Sequence, residues 1–562
     1  MINRIVKYLT QRHRIPIVCI LCLIAIYASA QTYLSSQMLM SDYQIAPPQV
    51  KPQDTTRTRK QSGQPKVIEL KNTDSLSKRA NVSYQVLVGN VWFYHDGVNL
   101  YCDSSYYDEA RNTFEAFSNV RMEQGDTIFL YGNYMHYDGN TQLVKVRENV
   151  RLEKDTSVTL FTDSLDYDRI ANIGYYFDGG MLVDSLNELT SYWGQYEPAT
   201  NIALFSDSVK LVNPQFILYS DTLRYNTQTK IATFLSPTKI VSDSGVIYTT
   251  NGWYNTETEQ SLLLDQSTVV NVEGNRILRG DSMLYDKAKG FGEVFGNMFL
   301  QDTLKKVILR GHYGYYDQNT DYAMATDSAY VIEYSQKDSL FMHADTLQLQ
   351  MDSIYRVIKG YYGVRFYRAD IQGVCDSMQF NSKDSILHLY RDPVLWNQGN
   401  QLSGDTIDIF MNDSTIDLVH VKRYSFSIEQ KDSIHFNQLK SRSMKVYFED
   451  QKARRIFAEG DVKVITYAEE RDKTLTGLLT YLECSYLDIL LKEGTLERLV
   501  GYPAPEGHNT PFHLLNQSQL RLEDFYWYDY LRPLDRYDIF RKVTKKSTDV
   551  RPKRSIYFDR ED

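Results

Sequence analysis

An aromatic residue followed by Asp, Asn or Glu returns at a nearly fixed interval through most of this 562-residue chain. The pairs are Tyr107-Asp108, Tyr137-Asp138, Tyr167-Asp168, Tyr196-Glu197, Tyr225-Asn226, Tyr254-Asn255, Tyr285-Asp286, Tyr316-Asp317 and Phe380-Asn381. Their spacings are 30, 30, 29, 29, 29, 31, 31 and 64 residues; the last is two repeats with a degraded copy between them, and Ile409 stands 29 residues further on. Tyr is abundant, 44 residues against 24 Phe and 5 Trp, so one such spacing proves little. Eight in succession, each followed by a polar residue suited to turns, define a tandem repeat.

The copies share an internal grammar. Each opens on Asp-Ser or Asp-Thr before an apolar residue, as in Asp163-Ser164-Leu165, Asp221-Thr222-Leu223, Asp281-Ser282-Met283, Asp376-Ser377-Met378 and Asp405-Thr406-Ile407. Such pairs favour local turns that launch a strand. About twelve residues past each Tyr comes a second strand signal: Gly89-Asn90-Val91, Asn119-Val120, Asn149-Val150, Gly296-Asn297-Met298, Gly460-Asp461-Val462. Gly-Asn and Gly-Asp supply a positive-φ corner.

Alternation then fixes the faces, because neighbouring strand residues point to opposite sides. Val120 and Met122 flank Arg121, Val150 and Leu152 flank Arg151, Val209 and Leu211 flank Lys210, and Val462 and Val464 flank Lys463. One face is apolar and the other ionic. No copy can close a core alone, so the copies must stack around a continuous apolar interior. The expected fold is all-β: an elongated β-jellyroll or solenoid of about twelve stacked ~30-residue repeats over residues 67–465. At one ladder step per copy, about 4.8 Å each, it would be roughly 60 Å long.

The flanks differ. Arg4, Lys7, Arg12 and Arg14 precede an apolar run from Ile15 to Ala28, and Ala28-Ser29-Ala30 fits a small-x-small cleavage site, so residues 1–30 read as an export signal. A retained anchor is the alternative, but the run is shorter than the roughly 20 residues a membrane-spanning helix needs. Residues 31–66, with Pro47, Pro48, Pro52 and Pro65, read as a flexible linker. Residues 466–562 leave the repeat: 475–492 suits a helix or last strands, and Phe525-Tyr526-Trp527-Tyr528-Asp529-Tyr530 suits an end cap or a docking surface.

Charge and motif content narrow the function. Export would remove four cations and no acids, leaving 58 of the 62 Lys+Arg against 71 Asp+Glu, a poor balance for binding nucleic acid. Cys102, Cys375 and Cys484 are too far apart for a small-domain disulfide framework, though one bridge stays open. No HExxH, GxSxG or P-loop occurs, and the ten His are scattered. The recurring Asp residues sit where turns need acceptors and lack a calcium-loop spacing. No enzyme, cofactor or metal site is expected.

The Gly-Asn-Val corners, the Asp-Ser/Thr-apolar-x-Tyr-Asp starts and the near-30-residue period resemble the LptA/OstA family. The run Val88-Gly89-Asn90-Val91-Trp92-Phe93 through Cys102-Asp103-Ser104, then Ala116-Phe117-Ser118-Asn119-Val120 and Gln124-Gly125-Asp126-Thr127, is similar to the OstA-like proteins of Bacteroidota. The resemblance implies a semi-open jellyroll holding lipid A acyl chains, as a periplasmic, non-catalytic lipopolysaccharide carrier or bridge to the outer membrane. It implies lipopolysaccharide and other transport proteins as partners, joined by edge-strand pairing, with self-association also open. The groove-lining candidates are Val91, Phe93, Val120, Met122, Val150, Leu152, Val209, Leu211, Met298 and Leu300. Pattern alone does not separate a hollow groove from a filled core, so a filled β-solenoid scaffold mediating protein assembly stands as the alternative. An outer-membrane barrel fits less well, given frequent strand charges, and no carboxylate pair supports a glycan-processing β-helix.

Overall fold

The computed structural model describes residues 66–549, apart from 156, 318, 336–337, 353–354, 398, 413–414, 450–451, 471–473 and 493–494. The export signal and all but the last residue of the linker lie outside these residues. Within them the chain forms strands throughout, every pair antiparallel, with five short 3₁₀ turns near the C-terminal end and no α-helix.

The repeat is a hairpin of two long, bent strands. Gln85–His95, Val98–Asp108, Thr113–Gln124, Ile128–Asp138, Leu143–Lys154 and Val158–Asp168 pair successively, and each register breaks once near its middle. At the break one strand carries one extra residue, so that two residues stand opposite one, with left-handed backbone at the first of the two: φ is +83° at Gly89, +62° at Ser118 and Glu148, +63° at Asp207, +68° at Gly296 and +79° at Gly460. A bulge of this kind bends the strand and redirects it. Every strand therefore crosses from one wall of a V to the other, and farther along many are split at the corner into two pieces, such as Ile231–Phe234 and Thr238–Ser242.

The two sequence motifs meet at this corner. Asn90 Nδ2 donates to Asp74 Oδ2 at 2.8 Å, Asn119 to Asp103 at 2.7 Å and Asn297 to Asp281 at 2.7 Å. Of the Asp-Ser/Thr pairs, Asp281-Ser282 and Asp405-Thr406 do stand at strand starts, whereas Asp163-Ser164, Asp221-Thr222 and Asp376-Ser377 lie inside longer strands, opposite the bulge. The Asp or Asn after each Tyr does make the turn, as Asp168 Oδ1 accepts from the Ile170 and Ala171 amides and Asn226 Oδ1 from those of Gln228 and Thr229, at 2.9–3.0 Å.

Register then lines up one apolar ladder along the inside of each wall. On the leucine wall Phe93, Leu100, Met122, Leu130, Leu152 and Leu160 are successive partners, and the row continues through Leu182, Leu189, Leu211, Leu218 and Ile240. On the tyrosine wall the recurring Tyr residues from Tyr196 on lie opposite small residues: Tyr196 between Gly174 and Ala203, Tyr225 between Ala203 and Ala232, Tyr254 between Ala232 and Ser261, Tyr285 between Ser261 and Gly292. Large against small lets rings lie flat across neighbouring strands without overpacking. In the degraded copy Leu349 takes the Tyr position, and Ile409 follows on the same row. Each copy contributes two ladder steps to each wall, so twelve copies extend the stack to roughly 115 Å, not 60 Å.

The strands continue beyond 465. Leu475–Lys492 is a strand rather than a helix, followed by Thr495–Tyr502 and Glu506–Pro511. The chain then returns over the outside of the leucine wall as an extended strap. Gln438 donates from Nε2 to Leu520 O (2.8 Å) and accepts the Leu522 amide (2.8 Å); Gln401 donates to Tyr526 O (2.9 Å) and accepts the Tyr528 amide (2.7 Å). Phe525 and Trp527 pack on Phe436, Tyr528 and Leu531 join Val394 and Trp396, and Phe540 reaches Tyr330 and His343. The aromatic run covers a wall rather than capping an end. Cys102, Cys375 and Cys484 are buried free thiols, and burial pushes the Cys102 thiol up to about 12.

A Cβ on Gly194 would sit 2.3 Å from the Tyr176 ring, in backbone that any residue can adopt. Gly194→Val should therefore lower stability by about 1–3 kcal/mol through overpacking, read as a lower urea midpoint than the parent.

Candidate functional site

Between the walls lies a continuous apolar interior, and its seal changes along the stack. From Phe93 to Ile240 the leucine ladder is at most 2 % exposed. Beyond it Ile247, Val269, Leu278, Leu300, Leu309, Val331 and Leu340 continue the row or flank it, yet are only partly buried. On the tyrosine wall the row that holds Phe205, Leu223 and Phe234 in the sealed section runs on to Val294, Gly314 and Ala325. Smaller side chains on one wall leave the other wall's apolar residues in reach of solvent.

The ten groove-lining candidates divide across this boundary. Val91, Phe93, Val120, Met122, Val150, Leu152, Val209 and Leu211 lie in the sealed section at 0–2 % exposure. Leu300 lies in the loosened one and is only partly buried, while Met298, in the same section, is buried at 5 % exposure. Sequence reasoning passed over Val269, Leu278, Leu309 and Val331, which share the ladder with Leu300. The small residue seven positions after each Tyr, Gly174, Ala203, Ala232, Ser261, Gly292 and Ala323, was the readable signal for the opposite wall.

The free edges of the walls in the sealed section are joined by buried polar clasps. Near the start, Tyr107 donates to Ile68 O at 2.8 Å, and the Tyr137 hydroxyl meets His95 Nδ1 at 2.6 Å and the Arg169 guanidinium, which also reaches Asp96 O at 3.1 Å. Burial, reinforced by Arg169, holds the His95 imidazole below its ordinary value despite the Lys66 carbonyl, so it sits neutral in this clasp. Lys154 Nζ crosses to Pro198 O at 2.6 Å.

The second clasp is denser. Tyr225 donates to Asp184 Oδ2 at 2.6 Å, Lys230 Nζ reaches the same oxygen at 2.8 Å, and Asn187 Nδ2 donates to the Tyr225 hydroxyl (2.8 Å) and Thr256 Oγ1 (2.9 Å). Asn213 Nδ2 completes it on Asn187 Oδ1 at 2.9 Å. Asp184 is fully buried; burial pushes its carboxyl up, but Lys230, Tyr225 and the Leu186 and Asn187 amides outweigh this and hold it below 3.8. Farther along, Lys287 makes one long bond to Gln215 Oε1 at 3.3 Å. The clasps concentrate where the interior is sealed.

A depression of about 320 Å³ lined by Ser377, Tyr390, Arg391, Asp405 and Thr406 lies at a corner, away from this interior. Among the described residues no group of three or more His, Cys, Asp or Glu is placed to hold a metal.

An all-antiparallel stack of bent strands with a continuous two-walled apolar interior is an elongated β-jellyroll. Residues 65–221 and 215–275 match the family model described as OstA-like protein. Among solved structures it is similar to LptH, "the LptA homologous periplasmic component of the conserved lipopolysaccharide transport device from Pseudomonas aeruginosa", at 14% identity over 26% of this chain and 82% of that one, with a TM-score of 0.15. No curated protein matches.

Asp184→Ala leaves Lys230 buried without its partner and should cost about 3–5 kcal/mol at pH 7. Because the folded carboxyl titrates below its unfolded value of 3.8, its contribution is complete above that value and is lost as pH falls through the folded value. Urea unfolding across pH 2–7 should show a shallower acid loss below about pH 4 in the variant than in the parent.

Proposed function

We propose that this chain is a periplasmic, non-catalytic carrier or bridge component for lipopolysaccharide on its way to the outer membrane, with lipid A acyl chains held between the walls from Ile247 to Leu340. The observation that carries the reading is the break in the seal: one unbroken apolar ladder passes from fully buried to solvent-reachable while staying in register. The match of residues 65–275 to the OstA-like family model agrees with that use.

The physics is passive. An acyl chain leaving water for the loosened interior gains about 0.8 kcal/mol per buried methylene. Sugars and phosphates stay in solvent at the open edge, and direction comes from partners. Met298 and Leu300 become lining residues together with Val269, Leu278, Leu309 and Val331. The sealed, clasped section supports them as a filled core. Glu69–Asn72 and Ser75–Lys78 at one end of the stack, and Thr495–Tyr502 and Glu506–Pro511 at the other, leave edges suited to pairing with other transport proteins or a second copy.

The second reading, a filled β-solenoid scaffold for envelope assembly, is favoured by the sealed section alone. Photocrosslinking separates the two. A photoreactive residue at Leu278, Leu300 or Val331 should give a lipopolysaccharide adduct, and one at Leu130 or Leu152 at least tenfold less. Equal yields, or none at all three sites, would leave the scaffold reading standing.

A further inference from the structure

The strap occupies only part of the face it lies on. Its docking row on the outside of the leucine wall passes through Gln372, Trp396, Gln401, Ile428, Gln438 and Ile465 as successive partners. The same row runs on without a break toward the start of the chain, through Tyr367, Phe341 and Ile332 to Ile308, then past Gln301 to Ile277. It continues as Val270, Val246, Val241, Ile217 and Val212, all outward-facing and half-buried. An apolar row on the outer face of a sheet is unusual where the matching inner face already fills the core.

The adjoining outer row carries the charge. Lys210, Tyr219, Lys239 and Tyr248 are successive partners, followed by Thr268, Arg279, Phe299 and Arg310. The earlier Arg121 and Arg151 in this row are ion-paired with Glu123 and Glu153, at 3.1 and 3.2 Å. Lys210, Lys239, Arg279 and Arg310 make no ion pair among the described residues; three of them lie over ring faces of Tyr248 or Phe299 at 4.8–5.9 Å. Glutamates give way to valines and isoleucines where the cations lose their partners.

Where the strap does lie on this face, it satisfies the same two rows. Its aromatic side chains cover the apolar row, and its acids meet the cations: Asp524 Oδ2 is 2.8 Å from Lys440 Nζ, and Asp538 is 3.9 Å from Arg365. Lys440 and Arg365 stand on the row that holds Arg310 and Lys239. We propose that the outer leucine wall from Val212 to Phe341, with its row of unpaired cations, docks an extended peptide segment of a partner protein that is aromatic and acidic in the manner of the strap. Lys210 to Tyr330 is eight ladder steps, about 38 Å. The strap spends six residues between its two Gln clasps, which are two steps apart, so the segment would be about 24 residues long.

The test uses the full mature chain, whose own strap stays in place, and a fluorescent peptide of residues 518–541 as the probe. Anisotropy should show saturable binding at low salt, weakened at least tenfold by K239E/R279E/R310E and by V246D, and unchanged by Gln401→Ala. The charge substitutions are exposed, and unchanged circular dichroism and melting confirm the fold. Absence of binding overturns the proposal, as does binding that survives K239E/R279E/R310E. Binding abolished by Q401A/Q438A and not by the wall variants means displacement of the resident strap, and also overturns it. So does a dimer in sedimentation that the same wall variants dissolve, or a stronger effect of those variants on anionic phosphatidylglycerol vesicles than on the peptide. None of these arms reads lipopolysaccharide, so the result stands apart from the carrier reading.

Discussion

A strand long enough to serve two walls must turn partway along without losing its partners, and in this chain a bulge of one extra residue does that. Left-handed backbone at Gly89, Ser118, Glu148, Asp207, Gly296 and Gly460 redirects the strand, and in several copies an Asn side chain bonded to an Asp on the neighbouring strand holds the corner. The single extra residue offsets the odd step that the neighbouring strand takes across the corner, Ala116 to Val120 against Cys102 to Ser105, so both strands reach the second wall with their inward residues still inward. Both inner ladders, the buried clasps and the strap's outer rows rest on that register being kept from copy to copy.

Much of this was legible in the chain itself. The Tyr period marked the repeat unit, the Val-Arg-Met and Val-Arg-Leu alternation marked the faces, and Gly-Asn marked the positive-φ corners. The misreadings share one cause: a turn signal and a bulge signal use the same residues. Asp-Ser and Gly-Asn were therefore assigned to strand starts, which shortened each strand to one wall and halved the stack's length. The strap escaped notice because nothing local distinguishes an aromatic run that folds back on a wall from one that seals an end. Its recognition sites, Gln372, Gln401 and Gln438, are spread over 67 residues of repeat.

The ten residues proposed as a lining show why pattern alone could not place the site. Leu152 and Leu300 occupy equivalent positions on one ladder and have the same alternation around them. What separates them is the opposite wall, where Phe205, Leu223 and Phe234 give way along one row to Val294, Gly314 and Ala325, and the clasps that tie Asp184 to Tyr225 and Lys230. A filled core and a ligand space are thus two states of one architecture, set by side-chain volume across the gap and by whether polar bonds close the edge. The sealed section supplies the rigidity that an elongated body needs, and the strap stiffens the far section from outside.

The account's central claim is that ligand access is confined to the section between Ile247 and Leu340. Hydrogen exchange of the protein with and without lipopolysaccharide decides the matter. The account predicts added protection in the strands from Gln260 to His343 and little change between Gln85 and Asp168. Protection spread evenly along the stack, or concentrated in the clasped section, would contradict it.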